Sequence, residues 1–351
     1  MKKKILGIVL SLTMVGAMLA GCGQQQGAED KKEETKTEDT SKEDTNADDA
    51  EKADDTDKKE DAADDSKTGV GGKFAPVAKE DLKVGVIHIS DPAEGSGYTY
   101  THDQGIVEMQ KELGLEDSQI IRKNNIPDTD PTMTEQAIRE CIEDGCQIIF
   151  ATSFNYMDTC EQLAQEFPDV IFSHGTGYKS NDTNFNNYFG RIYQARYLSG
   201  IVAGMKTESN KIGYVAAMGS ENSEVTGGID AFAIGVAEVN PDAEIHVKVT
   251  NSWFSPTEET NAAKALIAEG CDVIGQHCDT PNPQTEAESA GVWGVGYNSD
   301  MSKDAPDATL TSVIWNWGVY YTQAVQKVID GTWTPEIYFG GMDDGLVDIT
   351  P

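Results

Sequence analysis

The sequence predicts an α/β protein of two doubly wound parallel-sheet lobes that face each other across a cleft. Three observations carry this prediction. Short apolar runs rich in β-branched residues alternate with amphipathic helical segments. This alternation occurs twice along the chain. The part of globular composition, from about residue 79 to Pro351, is about 270 residues long, which is large for one core and suits two lobes.

The elements of the first unit follow one another in strand–helix order. Strands are predicted at 82–89, 119–122, 146–151 and 169–172, and helices at 98–113, 132–143 and 157–166. In the first of these helices, Ile106, Met109 and Leu113 recur on one face at helical spacing. Short β-branched strands that alternate with helices indicate a parallel sheet covered on both faces.

The second unit repeats this rhythm. Helices are predicted at 193–205, 227–238, 257–269 and 283–290, and strands at 211–216, 244–250, 272–275 and 292–296; a further strand, 310–314, follows in the second half of the chain. In doubly wound sheets, ligands bind beyond the carboxyl ends of the strands. Two such lobes facing each other therefore predict a ligand site in the cleft between them.

The first 21 residues have the layout of a secretory signal peptide. A cationic start, MKKK, precedes an apolar run of about 16 residues, which is short for a membrane-spanning helix. The closing LAGC (19–22) resembles the bacterial lipobox. That resemblance implies cleavage before Cys22 and a diacylglycerol on its sulfur, which anchors the chain to the extracytoplasmic face of the cell membrane.

Residues 22–80 are predicted to be the lipid anchor and a disordered acidic linker. From residue 29 to residue 67 there are 18 acidic residues and 8 lysines, with no aromatic residue and no Ile, Leu, Val or Met. Such a segment cannot bury enough apolar surface to offset the entropy lost on ordering. We therefore expect a tether between the membrane and the lobes.

The net charge argues against a nucleic-acid-binding protein, and the cysteine content argues against a protein built on zinc sites or disulfides. The formal net charge of −33 argues against nucleic-acid binding. Beyond Cys22 the chain has five cysteines, an odd number with no CxxC spacing: Cys141, Cys146, Cys160, Cys271 and Cys278. A zinc or disulfide framework is not expected from these spacings, and small buried apolar residues are the simplest interpretation.

Residues suited to ligand binding collect at the carboxyl ends of the predicted strands. Rings, amides and carboxylates follow six of these strands, in GSGYTYTHDQG (95–105), TSFNYM (152–157), NSWFSP (251–256), QHCDTP (276–281), GYNSD (296–300) and WNW (315–317). Aromatic faces stack on planar ligands, and amide and carboxylate groups orient them by hydrogen bonds. The pattern favours a planar ligand with polar edges.

Individual residues in these segments differ in how strongly they point to a ligand. Tyr98 opens its helix, so its ring is expected at the mouth of the cleft, and Trp253 and Phe254 lie in a polar loop. Trp315 is equally compatible with a core ring where a helix meets the sheet. His102, one turn after Tyr98, is expected to pack or cap rather than bind a metal.

The chain carries no sequence signature of catalysis. GxSxG, HExxH and an embedded phosphate loop are absent from the sequence, and the five histidines are scattered along it. Metal capture would need about three converging His and carboxylate ligands. We therefore expect no enzyme activity, no metal and no cofactor.

Several motifs in the second half resemble the basic membrane protein family, the purine-nucleoside-type substrate-binding lipoproteins of ABC importers. These are YQARYLSGIVAG (193–204), KIGYV (211–215), FAIG (232–235), NP (240–241) and DVI (272–274). The resemblance runs from about Leu82 to Pro351. It implies a type I periplasmic-binding-protein fold, with two lobes, three hinge crossings and closure around the ligand.

The resemblance also implies roles for particular residues. Tyr98 falls at the Phe that stacks on the base in the family's DKSFN-like loop, and Thr99 falls at its Asn. The family's ribose-binding Asp falls on Asn298, and its following Lys falls on Trp315. The absence of both charges argues against binding of nucleosides. The segments at the cleft are more similar to a branch of the family associated with purine bases. Most members of that branch have an Asp at the position of Ser255, so this residue is a departure from the branch.

Lobe boundaries follow from the same resemblance. Residues 81–188 and 298–330 are predicted to form the N-terminal lobe, and residues 189–297 and 331–351 the C-terminal lobe. Family members continue past this point with a last helix and a return strand. Two interpretations remain open: the sequence is a fragment truncated at its C-terminus, which we favour, or this lobe lacks its closing segment.

The function predicted is capture of a purine base or nucleoside for an ABC permease. Stacking is assigned to Tyr98 and to Trp253 or Phe154, and reading of the polar edges to Asp103, Glu224, Asp279 and Asn298. Two alternatives remain open, a sensory lipoprotein that signals occupancy without transport and a sugar receptor of the same fold.

Overall fold

The structure, a computed structural model, describes residues 73–351. The predicted signal peptide, Cys22 and the linker up to residue 72 lie outside the described residues. Within residues 73–351, no helix combines the length and the apolar character needed to cross a bilayer.

The first lobe is built on a six-stranded sheet in the order β11-β5-β4-β3-β1-β2, in which each neighbouring pair is parallel. Its elements are β1 (Val84–Ile87), α1 (Gly97–Leu113), β2 (Ile120–Lys123), α2 (Pro131–Glu143), β3 (Ile148–Ala151), α3 (Met157–Glu166), β4 (Ile171–Gly175), β5 (Phe185–Gly190), α8 (Gly318–Ile329) and β11 (Tyr338–Gly340).

The second lobe repeats the topology with the order β12-β10-β9-β8-β6-β7. Its elements are α4 (Ile192–Lys206), β6 (Lys211–Ala216), α5 (Ser223–Val239), β7 (Glu244–Val249), α6 (Pro256–Ala268), β8 (Val273–His277), α7 (Asn282–Ala290), β9 (Trp293–Asn298), β10 (Thr309–Trp315) and β12 (Val347–Ile349). Its described pairings are parallel, except that β12 runs antiparallel to β10.

Local sequence signals explain where the helices begin and end. The Asp130 carboxylate accepts hydrogen bonds from two backbone amides in the first turn of α2, and Pro131 occupies the first helical position. Helix α1 ends where Gly114 adopts φ 61°, a conformation that favours glycine. Because these signals are local, most predicted helix bounds agree with the structure to within a residue or two.

The chain crosses between the lobes three times, as the family resemblance implies. The crossings follow β5, follow β10, and lie between β11 and β12. The predicted assignment of residues 298–330 to the N-terminal lobe is wrong at β10, which is a parallel neighbour of β9 in the second sheet, but it agrees with the structure at α8, which packs against α1. The assignment of residues 331–351 to the C-terminal lobe is wrong at β11, which pairs with β5 in the first sheet.

Both faces of each sheet are covered by buried apolar clusters. In the first lobe, α8 packs against α1 and contributes Tyr320 and Tyr321 to a core that also holds Trp315 and Trp317. Strand β10 of the second sheet and the residues directly after it therefore deliver two indole rings to the core of the first lobe. The residues at the second crossing are therefore packed in the core of the first lobe.

Candidate ligand site

The first turn of α1 lies against the second lobe. Gly95 and Gly97 adopt φ 81° and 83° in the loop that leads into this helix. A Cβ atom at Gly97 would lie 2.1 Å from the backbone oxygen of Asp279, which belongs to the second lobe. Only glycine permits both the backbone conformation and this close approach, so the two lobes meet at the start of α1.

Tyr98 is the first-lobe side chain that faces this contact. Its phenol donates a hydrogen bond to the Thr152 carbonyl oxygen beyond β3, and its ring meets the His102 ring edge-on with centroids 4.4 Å apart. Burial raises the pKa of Tyr98 well above its ordinary value, and the nearby Tyr188 and Asp279 act in the same direction. The phenol is therefore neutral and serves as a hydrogen-bonding group.

Asp279 and Asn298 form a buried polar pair at the carboxyl ends of β8 and β9. Asn298 donates from Nδ2 to Asp279 Oδ1 at 3.0 Å, while Asn298 Oδ1 is buried without a hydrogen-bond partner among residues 73–351. Burial raises the pKa of Asp279 well above its ordinary value, although the Asn298 hydrogen bond acts against this. The pair offers a free acceptor beside a carboxyl group that favours its protonated form.

Glu224 brings a second carboxyl group from the first turn of α5. Tyr297 donates its hydroxyl to Glu224 Oε1 at 3.3 Å, and His277 Nε2 lies 3.3 Å from the same oxygen. Burial raises the pKa of Glu224 from 4.5 to about 7, and Arg196 and the Tyr297 hydrogen bond act in the opposite direction. Its charge state is therefore sensitive to pH near neutrality.

Arg196 is a fully buried cation beneath this acidic group. Its Nη1 donates to the Gln276 carbonyl oxygen at 2.5 Å, and its Cζ lies 4.1 Å from the centre of the Tyr297 ring. Its Nε and Nη2 have no hydrogen-bond partner in the described part of the chain. A buried cation without a full set of partners is costly, which marks it as part of a functional cluster.

A stack of three rings lines the first-lobe side. His102 lies parallel to Trp317 with centroids 4.5 Å apart, and Trp317 lies parallel to Trp315 at the same separation. The Trp315 indole donates to the Tyr297 hydroxyl at 3.4 Å. The stack therefore connects α1 to the tyrosine that also touches Glu224.

The comparisons with known proteins identify the family. Residues 82–351 match the Bmp family, described as ABC transporter substrate-binding protein PnrA-like. The chain belongs to this PnrA-like family. The resemblance found in the sequence is confirmed, and this chain is a substrate-binding protein of the ABC transporter type.

Relatives and solved structures agree with this membership. A purine-binding protein of Brucella abortus (strain 2308) is 40% identical over 274 residues, which cover 78% of this chain and 76% of that protein. A protein of Haloferax volcanii named for an ABC transporter glucose-binding function is 36% identical over 274 residues, 77% of this chain and 67% of its own length. A solute-binding protein structure from Aeropyrum pernix K1 has a TM-score of 0.66 at 18% identity, covering 77% of this chain and 76% of that one, and supports the fold alone.

The predicted fold class is confirmed, and the structure separates the predicted site residues of this PnrA-like chain into two groups. Tyr98, Glu224, Asp279 and Asn298 come together where the lobes meet. Trp315 joins the same region through Tyr297, although only 4% of its surface is exposed and it belongs to the first-lobe core. The core role anticipated for this ring is therefore confirmed, and its contact with a ligand stays a prediction.

The remaining predicted residues stand apart. Asp103 accepts a hydrogen bond from Arg122 at 2.6 Å; burial opposes ionisation, but bonds from His88 and Arg122 hold its pKa below the ordinary value. Thr99 is buried and accepts a hydrogen bond from Ser90. These contacts lie within the first lobe, so both residues are engaged in local structure.

The three other predicted rings differ in their environment. Phe154 is 48% exposed and lies near Tyr178, with centroids 6.2 Å apart. Trp253 is half-buried and meets the His277 ring edge-on at 5.9 Å, while the neighbouring Phe254 is 48% exposed. Trp253 therefore borders the cluster, whereas Phe154 and Phe254 face solvent.

An open pocket borders the cluster between α1 and the ends of β9 and β10. Its walls include Thr101 and Glu108 from the first lobe and Asn298 and Asp300 from the second. Asn298 thus belongs to the buried polar pair and also lines the pocket. Neither Asp279 nor Glu224 lines this pocket.

Proposed function

We propose that this chain captures a purine base or purine nucleoside between its lobes and delivers it to an ABC permease. The observation that carries this proposal is the meeting of Tyr98 with the Asp279–Asn298 pair across the cleft. An aromatic ring and a set of hydrogen-bonding groups suit a flat heterocycle with polar edges. The name of the Brucella relative, which is 40% identical, supports the same ligand class.

The polar groups complement a purine edge in a specific way. Asn298 Oδ1 is an unpartnered acceptor for a ring or exocyclic N–H. A protonated Asp279 carboxyl both donates and accepts, which matches the alternating donors and acceptors of a purine. Stacking against an aromatic ring contributes about 1 kcal/mol beyond the area it buries.

Titration calorimetry with adenine, guanine, hypoxanthine and their nucleosides tests this proposal. We expect at least one of them to bind with a Kd below about 100 µM. Asn298→Ala should weaken that binding by about tenfold or more, because the variant removes the free acceptor and the donor to Asp279. Absence of binding by all six compounds would refute the proposed ligand class.

A sugar is the second candidate, because the Haloferax relative carries a glucose name at 36% identity. Stacked aromatic rings and buried carboxyl groups also suit a pyranose. Competition between the tightest purine and glucose or ribose distinguishes the two. Displacement of the purine only by other purines would favour the first proposal.

The membrane anchor is also a proposal, carried by LAGC (19–22). We expect Cys22→Ala to release the protein from the membrane fraction, since the variant lacks the sulfur that carries the lipid. Fractionation of cells that express either form measures this. Equal membrane retention of the two forms would contradict a Cys22 anchor.

A further inference from the structure

A lysine of the second lobe reaches across the cleft to the first lobe. Lys303 lies in the turn between β9 and β10, and its Nζ donates to the backbone oxygen of Gly95, which precedes it by 208 residues. The same ammonium lies 4.1 Å from the centre of the Tyr100 ring. Neither partner belongs to one of the three crossings, so this contact joins the lobes independently of the hinge.

The turn that carries Lys303 is fixed to the second lobe. Met301 and Ala305 are fully buried on either side of the lysine. The Met301 amide donates to Ser312 Oγ on β10 at 3.0 Å, and Thr309 donates from Oγ1 to the Ala305 carbonyl oxygen at 2.8 Å. Because its base is anchored, Lys303 moves with the second lobe.

The two groups that contact Lys303, the Gly95 carbonyl oxygen and the Tyr100 ring, belong to the first lobe. Gly95 ends a short 3-10 turn, Pro92–Glu94, whose start is capped by the Asp91 carboxylate accepting from the Ala93 amide at 2.9 Å. Tyr100 lies in the first turns of α1. The carbonyl and the ring therefore form a preformed receptor for a cation.

We propose that Lys303 is a positioning residue that holds the lobes closed over a captured ligand. The proposal rests on the proposed function for its ligand and on the interlobe contact for its geometry. Gly97, which touches Asp279 two residues after Gly95, allows the lobes to approach closely enough for the lysine to reach. The Lys303 ammonium contacts the Gly95 oxygen and the Tyr100 ring only when the lobes are together. Lys303 should therefore slow release of the ligand and leave the rate of association largely unchanged.

The expected effect is a change in release rate. An exposed cation–π contact corresponds to a factor of about two to five in an equilibrium constant, and a hydrogen bond to a charged donor adds to it. Removing Lys303 should therefore speed release by about fivefold. Lys303 is itself exposed, so its truncation leaves the second-lobe core intact.

Stopped-flow release of the purine that binds most tightly in calorimetry tests the proposal on the full chain. Lys303→Met, which keeps length but removes charge, should speed release about fivefold, and Tyr100→Leu, which leaves the hydrogen bond to Gly95, about two- to threefold, with association within about twofold of the parent in both. Lys111→Ala is the control, because it removes an exposed lysine of α1 that has no described side-chain contact with the second lobe. Parent-like release in both Lys303→Met and Tyr100→Leu, or equally fast release in Lys111→Ala, would overturn the proposal.

Hydrogen exchange of the ligand-free chain separates this proposal from the proposed function. We expect backbone amides in 92–100 and 299–305 to exchange about threefold faster in Lys303→Met, with β3 unchanged. If no purine binds in calorimetry, the proposed ligand class is wrong. The hydrogen-exchange experiment still tests the role of Lys303 in that case. Unchanged exchange in both segments would overturn the interlobe contact, whatever the ligand.

Discussion

At the scale of single residues, the cleft gathers carboxyl groups whose charge is disfavoured by burial. Asp279 and Glu224 both have raised pKa values, and burial is the largest cause for each. Arg196 acts in the opposite direction on Glu224. A ligand that supplies hydrogen-bond donors would stabilise the ionised carboxylates, so binding and protonation should be coupled at this site.

The raised pKa of Glu224 predicts a specific pH dependence of stability. Its folded pKa of about 7 exceeds the ordinary value of 4.5, so the folded chain binds more protons between these limits and its stability falls as pH rises through them. Glu224→Gln removes this decrease in the free energy of unfolding, which amounts to at most about 3 kcal/mol. Urea unfolding at pH 5 and pH 8 should show a smaller decrease for the variant than for the parent.

The comparison with the variant reports Glu224 together with its effect on Asp279, because, after burial, Glu224 is one of the charges that raise the pKa of Asp279. The raised pKa of Asp279 acts with the same sign and the lowered pKa of His277 with the opposite sign, but both groups are present in both chains. Parallel pH profiles for the parent and Glu224→Gln would contradict a buried Glu224 that titrates near neutrality.

Sequence reasoning named some residues of the buried polar cluster and missed others for physical reasons. Tyr98, Asp279 and Asn298 follow strands at their carboxyl ends, a position that the alternating pattern identifies. Arg196 lies in the middle of α4 among small and apolar residues, and its burial depends on packing against β8 and β9. An arginine within an otherwise apolar helix face was the available signal.

At the scale of elements, the junction of the β1–α1 loop with the second lobe controls closure. Gly97→Ala should weaken purine binding by more than about tenfold, because the added Cβ collides with the Asp279 backbone oxygen and the residue keeps a positive φ. Calorimetry measures the affinity, and thermal unfolding measures the accompanying loss of stability.

Gly227→Ala is the matched control for this prediction. Gly227 lies in α5, and a Cβ there would meet nothing within 4 Å. Because alanine favours the helix over glycine by up to about 1 kcal/mol, the control should bind normally and be at least as stable as the parent. Equal binding by Gly97→Ala and the parent would contradict the close approach of the lobes.

Most elements with a clear period were predictable, although helix α8 and strand β5 were not among the predicted elements. Helix α3 and strand β6 have the bounds that the sequence predicts. Strands β11 and β12 have three residues each, too few to show a period. The lobe that receives β10 could not be predicted from its sequence, because its assignment depends on pairing with β9 rather than on local pattern.

At the scale of the whole molecule, two sheets of identical strand order face each other and exchange their last elements across three crossings. The second crossing carries Trp315 and Trp317 into the first-lobe core, so movement of the lobes is coupled to the ring stack beside Tyr98. Such coupling lets ligand contacts at the cleft bias the open and closed forms. The proposed capture by closure rests on this coupling.

The central claim is that a purine is held between the lobes by Tyr98 on one side and the Asp279–Asn298 pair on the other. A crystal structure of the protein grown with the tightest-binding purine tests it most directly. The account predicts the purine ring within van der Waals contact of Tyr98, with an N–H donated to Asn298 Oδ1. A purine bound elsewhere, or an interlobe cleft occupied by a different class of molecule under these conditions, would contradict it.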